Sequence, residues 1–225
     1  MCGRFVQYSC LEILQQAFDI QAVTCEVTPS YNIAPTHEIL SVIRHDDENR
    51  LGKLHWGLVP SWAKDLSGAS KLINARAETL MEKPSFRGAF KSRRCLVLAD
   101  GYYEWKRENG HKQPWYFALS SGEPFAFAGL WETWKRKDEK AYHSCTIITT
   151  SSSKSVSAIH DRMPVILPPG VYDSWLNQET SGLKQLEAIQ RECHIRKMRY
   201  YPVSTGVNDV KYNNPDCIKP IQKLV

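Results

Sequence analysis

The stretch Cys95-Leu96-Val97-Leu98-Ala99-Asp100-Gly101-Tyr102-Tyr103-Glu104-Trp105-Lys106 continues through Arg107-Glu108-Asn109-Gly110 and returns as Trp115-Tyr116-Phe117-Ala118-Leu119. Cys95 to Ala99 reads as a nearly continuous apolar strand. Over Tyr102 to Lys106, strand alternation places Tyr103 and Trp105 on one side and Glu104 on the other. Asn109-Gly110 is a strong short-range hairpin signal, because the tight turns that join twisted strands need backbone angles these two residues tolerate. Strand thus follows strand with little between them.

Working outward, Phe125 to Trp131 and His143 to Thr150 read as two further strands. Upstream, Ile39 to Arg44 and Leu51 to Leu58 are strand-like and joined across the polar turn Asp46-Asp47-Glu48-Asn49. Val165 to Leu167 and a segment around Tyr201 to Val203 add short strands near the end. Tyr31 to Thr36 reads as a loop, since Pro35 biases Ala34 away from helix. Helices are expected at about 10–18, at Lys83–Phe90 where Pro84 opens the first turn, near 170–177 and near 182–191, with a helical turn at 151–157. The first has Ser9-Cys10-Leu11-Glu12 in the form of a capping box and should pack over the first strand. No internal repeat, linker or composition shift divides the chain. The fold class expected is α+β: a single domain over 1–225 with a mainly antiparallel, barrel-like β-sheet and peripheral helices.

A chain of 225 residues should bury about 70–75 % of the surface its unfolded form exposes. A hydrophobic fraction of 42 %, with seven tryptophans and ten tyrosines, excludes a disordered chain. The seven cysteines are odd in number and show no CxxC or other metal-ligand spacing, so they read as reduced thiols and the expected location is cytoplasmic. No apolar run approaches the roughly 18 residues that cross a bilayer, and no membrane partner is expected. Lys plus Arg exceed Asp plus Glu by 29 to 24, a net charge of +5, which permits a nucleic-acid partner without demanding one. GxGxxG, Walker, HExxH and GxSxG signatures are absent, so no cofactor and no metal are expected.

The chemistry concentrates at Met1-Cys2-Gly3-Arg4. Removal of the initiator methionine before so small a residue would leave Cys2 with an amine and a thiol on adjacent carbons. Such an aminothiol attacks one carbonyl carbon twice, through nitrogen to an imine and then through sulfur, closing a five-membered thiazolidine. The second step is intramolecular, and effective molarities of such steps reach about 10⁵ M or more. An α-amine titrates near about 7.7–8.0 against about 10.4 for lysine, so at neutral pH the terminus is the better imine former by over two orders of magnitude. By position alone Cys2 fits a small residue opening a buried strand better than a nucleophile.

Other candidates carry similar double readings. Glu104 among aromatic residues fits a carboxyl with a raised pKa that moves protons, or a strand glutamate facing water. His160 fits proton exchange near neutral pH or a structural histidine. Asn74 fits an amide that orients an amine or hydroxyl, or a turn residue. Arg4 and Arg76 fit phosphate grips or surface ion pairs. Trp62 and Trp105 fit stacking platforms for bases or core packing. If Lys71 to Glu78 is extended, Asn74 and Arg76 share a face.

Taken together, Met1-Cys2-Gly3-Arg4-Phe5, Tyr31-Asn32-Ile33-Ala34-Pro35, Trp56-Gly57-Leu58-Val59-Pro60-Ser61-Trp62, Ile73-Asn74-Ala75-Arg76-Ala77-Glu78-Thr79, Asp100-Gly101-Tyr102-Tyr103-Glu104-Trp105 and His160-Asp161-Arg162-Met163-Pro164 closely resemble the SRAP (SOS response-associated peptidase) family. The resemblance runs from residue 2 to about residue 210, with Leu98 where a proline is common and Tyr102 where phenylalanine is. It implies covalent shielding of abasic sites in single-stranded DNA through an N-terminal cysteine thiazolidine, with lyase and self-reversal activity. It further implies Cys2 as nucleophile, Glu104 and His160 as proton-transfer groups, and Asn74 holding the amine and sugar. Arg4 and Arg76 would hold flanking phosphates, with Trp62, Trp105 and Pro35 near the bases. A monomer is expected, with replication-fork proteins as neighbours. Two other readings stay open: a thiol peptidase that processes Met1, and a noncatalytic reader of single-stranded or modified DNA.

Overall fold

The computed structural model describes residues 2–108, 110–135, 140–179, 184, 186–187, 189 and 198–221. In chain order the elements are β1 (Phe5–Gln7), α1 (Leu11–Phe18), β2 (Ala22–Val23), β3 (Ser30–Ile33), β4 (Glu38–His45), β5 (Glu48–Trp56), β6 (Asn74–Arg76), α2 (Pro84–Ser92), β7 (Arg94–Ala99), β8 (Gly101–Glu108), β9 (His111–Leu119), β10 (Phe125–Trp134), β11 (Tyr142–Ser151), α3 (Lys154–Ser157), β12 (Arg162–Pro164), β13 (Ile166–Leu167), α4 (Tyr172–Leu176) and β14 (Met198–Pro202). Asn109 of the expected hairpin turn and most of the expected 182–191 helix lie outside the described residues.

The larger sheet closes on itself. β4 pairs antiparallel with β5 and β7, β7 with β10, and β10 with β11, while β11 runs parallel to β5 at Ser144–His55 and Cys145–Trp56. Closure removes the exposed strand edges that an open sheet would offer. Because side chains alternate, one face of each strand fills the barrel: Ile39, Leu54, Trp56, Val97, Phe127, Cys145 and Ile147 form one buried cluster. The opposite face, with Leu40, Val42, Leu96, Leu98, Ala128 and Ile148, is covered by α1, α2 and α4 through Leu14, Phe18, Phe86, Phe90 and Trp175. The five-stranded sheet β14-β9-β8-β1-β3 lies against the barrel, with Phe5, Tyr102 and Phe117 contributing to the barrel-side cluster. Its other face packs Tyr103 and Tyr116 on Val203, Val207 and Cys217. The architecture is α+β and mainly antiparallel, as expected.

Close approach is visible at Gly101, where a Cβ would lie 2.4 Å from the Tyr116 ring. At the β4–β5 turn, Asp46 and Asp47 take left-handed φ values of 51° and 61°, which short polar side chains tolerate better than most.

Three local expectations fail. Ser9-Cys10-Leu11-Glu12 forms no capping box: the N-cap of α1 is Cys10, without a side-chain cap bond. Ser9 Oγ instead donates to the Asp100 carboxylate, which also accepts the Tyr8 and Ser9 amides at 2.5 and 3.0 Å and so holds Ser9 away from the helix's first amides. Through Leu14 and Phe18, α1 covers the large sheet rather than the first strand. Tyr31, Asn32 and Ile33 are strand rather than loop, since β3 supplies the outer neighbour of β1 through Phe5–Ile33. Arg162 to Pro164, left without a strand by sequence pattern, pairs with β11 from Ser151 to Thr149.

Candidate active site

The site forms where the two sheets meet at the chain's start. β1 pairs with β8 at Phe5–Tyr102, and the Tyr103 amide donates to the Arg4 carbonyl at 2.9 Å, so Cys2 and Gly3 run on beside Glu104. On the other side of Cys2, β6 runs parallel to β11 with Asn74 beside Ile147. The Trp56 indole fixes the approach to β6 by donating to the Ile73 carbonyl at 2.9 Å. Asn74 Nδ2 then donates to the Cys2 carbonyl at 2.7 Å. Asn74 Oδ1 is buried and finds no hydrogen-bond partner among the described residues.

Cys2 is fully buried, and burial first, then the nearby Glu104 carboxylate, pushes its thiol far above the ordinary value. The sulfur therefore rests as a neutral thiol. Glu104 is 2 % exposed, and burial pushes its carboxyl up to about 7. Near neutral pH it is divided between acid and base forms, as proton transfer in both directions needs. His160 Nε2 lies 3.8 Å from Glu104 Oε2. Burial holds the imidazole below its ordinary value, so the neutral ring is favoured. Its Nδ1 faces the Arg162 amide at 3.0 Å, which supports the tautomer with Nε2–H toward Glu104. The Asp161 carboxylate at 3.0 Å and the Arg162 carbonyl at 3.2 Å support the other. Both nitrogens thus have reason to carry the proton.

The His160 loop is clamped from below. Arg162 forms a two-pronged pair with Glu78 at 2.8 and 3.0 Å and also donates to the Thr149 carbonyl at 2.7 Å, tying the loop to β11 and to the residues after β6.

Glu104 and His160 open into a cavity of about 480 Å³ with Gly3, Arg4 and Trp105 in its wall. Arg4 is committed internally as well: one nitrogen donates to Asn32 Oδ1 at 2.6 Å and to the Val207 carbonyl at 2.7 Å, and the guanidinium lies 5.9 Å from the Trp105 ring centroid. Trp105 is half-buried and donates to Asn208 Oδ1 at 2.7 Å. Arg76 is exposed on β6, two residues from Asn74 and on the same face. Trp62 is 66 % exposed on the loop after β5, and Pro35 is half-buried in the turn after β3; neither lines the cavity. Cys2, Asn74, Glu104 and His160 are therefore brought together, Arg4 and Trp105 adjoin them, and Trp62 and Pro35 stand apart.

Arg107, Lys112 and Asn208 also line the cavity and were not singled out from sequence. The first two were accessible to it: a two-residue turn at Asn109-Gly110 forces Arg107 opposite Lys112, the observed register. Asn208 comes from a distant segment and carried no signal.

The family described as "SOS response associated peptidase (SRAP)" matches residues 1–210. The chain is 44 % identical over 222 residues to the abasic site processing protein YoqW of Bacillus subtilis, covering 97 % of this chain and 99 % of that one. It is 32 % identical to the abasic site processing protein YedK of Escherichia coli, covering 98 % and 100 %. Among solved structures, a protein from Bacteroides thetaiotaomicron superposes with a TM-score of 0.72 at 27 % identity, covering 96 % of this chain and 92 % of the other. The chain belongs to the SRAP family.

Proposed function

We propose that this protein processes abasic sites in single-stranded DNA by covalent capture on a processed N-terminal Cys2. The observation that carries the reading is the convergence of Asn74 Nδ2 on the Cys2 carbonyl at 2.7 Å with the pair of buried Glu104 and half-buried His160 near the Cys2 thiol. The names of the similar proteins YoqW and YedK supply the substrate class.

Each step has a group suited to it. The α-amine of Cys2 adds to C1′ of the ring-opened sugar, with Asn74 holding the chain end and its Oδ1 accepting from the amine. Glu104 in its acid form gives a proton to the carbinolamine hydroxyl, which leaves as water and yields the imine. The Cys2 sulfur then adds to C1′, its proton passing to the Glu104 carboxylate, and the thiazolidine closes. Reversal runs the same path with Glu104 as acid on the ring. Abstraction of a C2′ proton from the imine by Glu104 or His160 expels the 3′ phosphate, the lyase outcome. Arg4 and Arg76 hold flanking phosphates, with Trp62, Trp105 and Pro35 toward the bases. The protein acts as one domain and as a monomer.

A thiol peptidase would have to begin with attack by the Cys2 sulfur, whose thiolate burial disfavours. An amine-first route does not. The test is intact mass after incubation with a single-stranded oligonucleotide containing one abasic site: an adduct forms with the parent protein and is absent from Cys2→Ala. No adduct with correctly processed parent protein would overturn the reading.

A further inference from the structure

Arg107 on β8 and Lys112 on β9 are direct cross-strand partners. Like charges directly opposite each other in a ladder destabilise it unless something neutralises them. The neighbouring charges do not: Lys106 pairs with Glu108, whereas Arg107 and Lys112 make no ion pair among the described residues. Both side chains line the cavity that Glu104 and His160 share. Arg107 is near enough to His160 to stand, after burial, among the charges acting on that ring. Strand alternation puts Trp105 and Arg107 on the same face of β8, so an aromatic surface adjoins the two cations.

From this juxtaposition we propose that Arg107 and Lys112 form a seat for one phosphodiester of the bound DNA strand, on the Glu104 side of the captured sugar. The assignment rests on the single-stranded DNA reading above. Its partner in chemistry is a singly charged bridging phosphate: the cations flank an open cavity, and a guanidinium with an ammonium offers a fork and a point charge to one anionic group. Arg76 lies on the Asn74 side of Cys2, so the two grips would stretch the strand across the thiol and present the sugar between them. Arg107 and Lys112 are positioning residues in this scheme and take no part in proton transfer.

The test reads binding without the covalent step. Fluorescence anisotropy is measured with single-stranded oligonucleotides carrying a tetrahydrofuran abasic analogue, which has no aldehyde. One series has normal phosphates and two have a neutral methylphosphonate immediately 5′ or 3′ of the analogue. Arg107→Ala/Lys112→Ala should bind the normal strand about tenfold more weakly and flatten the dependence of log K on log salt by about 0.7, the amount expected for one phosphate of a single strand. One of the two methylphosphonates should weaken the parent protein to a similar degree, and the double variant should be indifferent to that same replacement. The proposal is overturned if the double variant still loses affinity on both replacements, or binds the normal strand as the parent does. Relief of the like-charge pair predicts an unchanged or higher melting temperature for the double variant, and Lys112→Gln alone should show a smaller loss of affinity in the same direction. Covalent capture by the parent, scored separately by intact mass with a true abasic site, shows whether a failure belongs to the seat or to the capture chemistry itself.

Discussion

His160 Nε2 stands 3.8 Å from Glu104 Oε2, and burial shifts the two groups in opposite directions: it pushes the carboxyl up to about 7 and holds the imidazole below its ordinary value. Both shifts disfavour the charged forms, so a protonated carboxyl and a neutral imidazole are each favoured by the site. The raised carboxyl yields a stability signature independent of any substrate. The folded carboxyl, raised from 4.5 to about 7, keeps its proton where the unfolded one loses it. Its contribution to stability is fully present below the unfolded value and is lost as pH rises through about 7. Glu104→Gln removes this dependence, so the melting temperature of the variant should gain on the parent between pH 4.5 and 8, most of the gain falling below about 7. A difference that stays constant across that range would contradict the raised carboxyl. The same variant should slow thiazolidine closure by about 10²-fold or more, the usual worth of a positioned acid or base.

Asn74→Ala removes the donor to the Cys2 carbonyl and the buried Oδ1 acceptor together. One such hydrogen bond contributes about 1 kcal/mol, so stability should fall only slightly. Adduct formation, which depends on where the amine sits, should fall at least about tenfold, since small misplacements of reacting groups cost up to about 10²-fold. Stopped time courses at saturating oligonucleotide, beside a thermal melt, separate the two effects.

Arg4→Ala is expected to cost fold stability as well as DNA binding. Two short bonds tie its guanidinium to Asn32 and Val207 across β3 and the 205–208 turn, and its loss strands Asn32 Oδ1, while the Val207 carbonyl keeps the Asn32 Nδ2 donor at 3.2 Å. Bonds to a charged donor are worth about 1.5–3 kcal/mol, so a denaturant titration should show a loss of about 2–3 kcal/mol. Arg76→Ala, exposed on β6, should leave the titration unchanged and weaken binding instead. Equal stability losses in the two variants would remove the distinction between them.

Much of this molecule could be read from local pattern. Apolar runs and turn residues located the barrel strands β4, β5, β7, β10 and β11 and the β8–β9 hairpin to within a few residues. Pro84 marked the start of α2. Long-range competition was invisible. Ser9 has the right spacing for a cap, yet the carboxylate that claims it is Asp100, 91 positions away. Tyr31 to Ile33 look like a loop beside Pro35 and become strand only because β1 needs a neighbour. The parallel contact of β11 with β5, which closes the barrel, joins residues too distant for any local rule. At the site, the residue types at Cys2, Asn74, Glu104 and His160 suggested their chemistry, but Arg4 held by Asn32 and Val207 instead of standing free was not legible from its neighbours.

The account turns on the amine and thiol of Cys2 acting together, and one comparison tests that most directly. Protein beginning at Cys2 and protein retaining Met1 are incubated with the same abasic single-stranded oligonucleotide, and the intact masses are measured. The expected result is an adduct equal to protein plus oligonucleotide less one water, formed by the protein that begins at Cys2 and not by the one that retains Met1. An adduct of that mass formed equally well with Met1 in place would contradict the account.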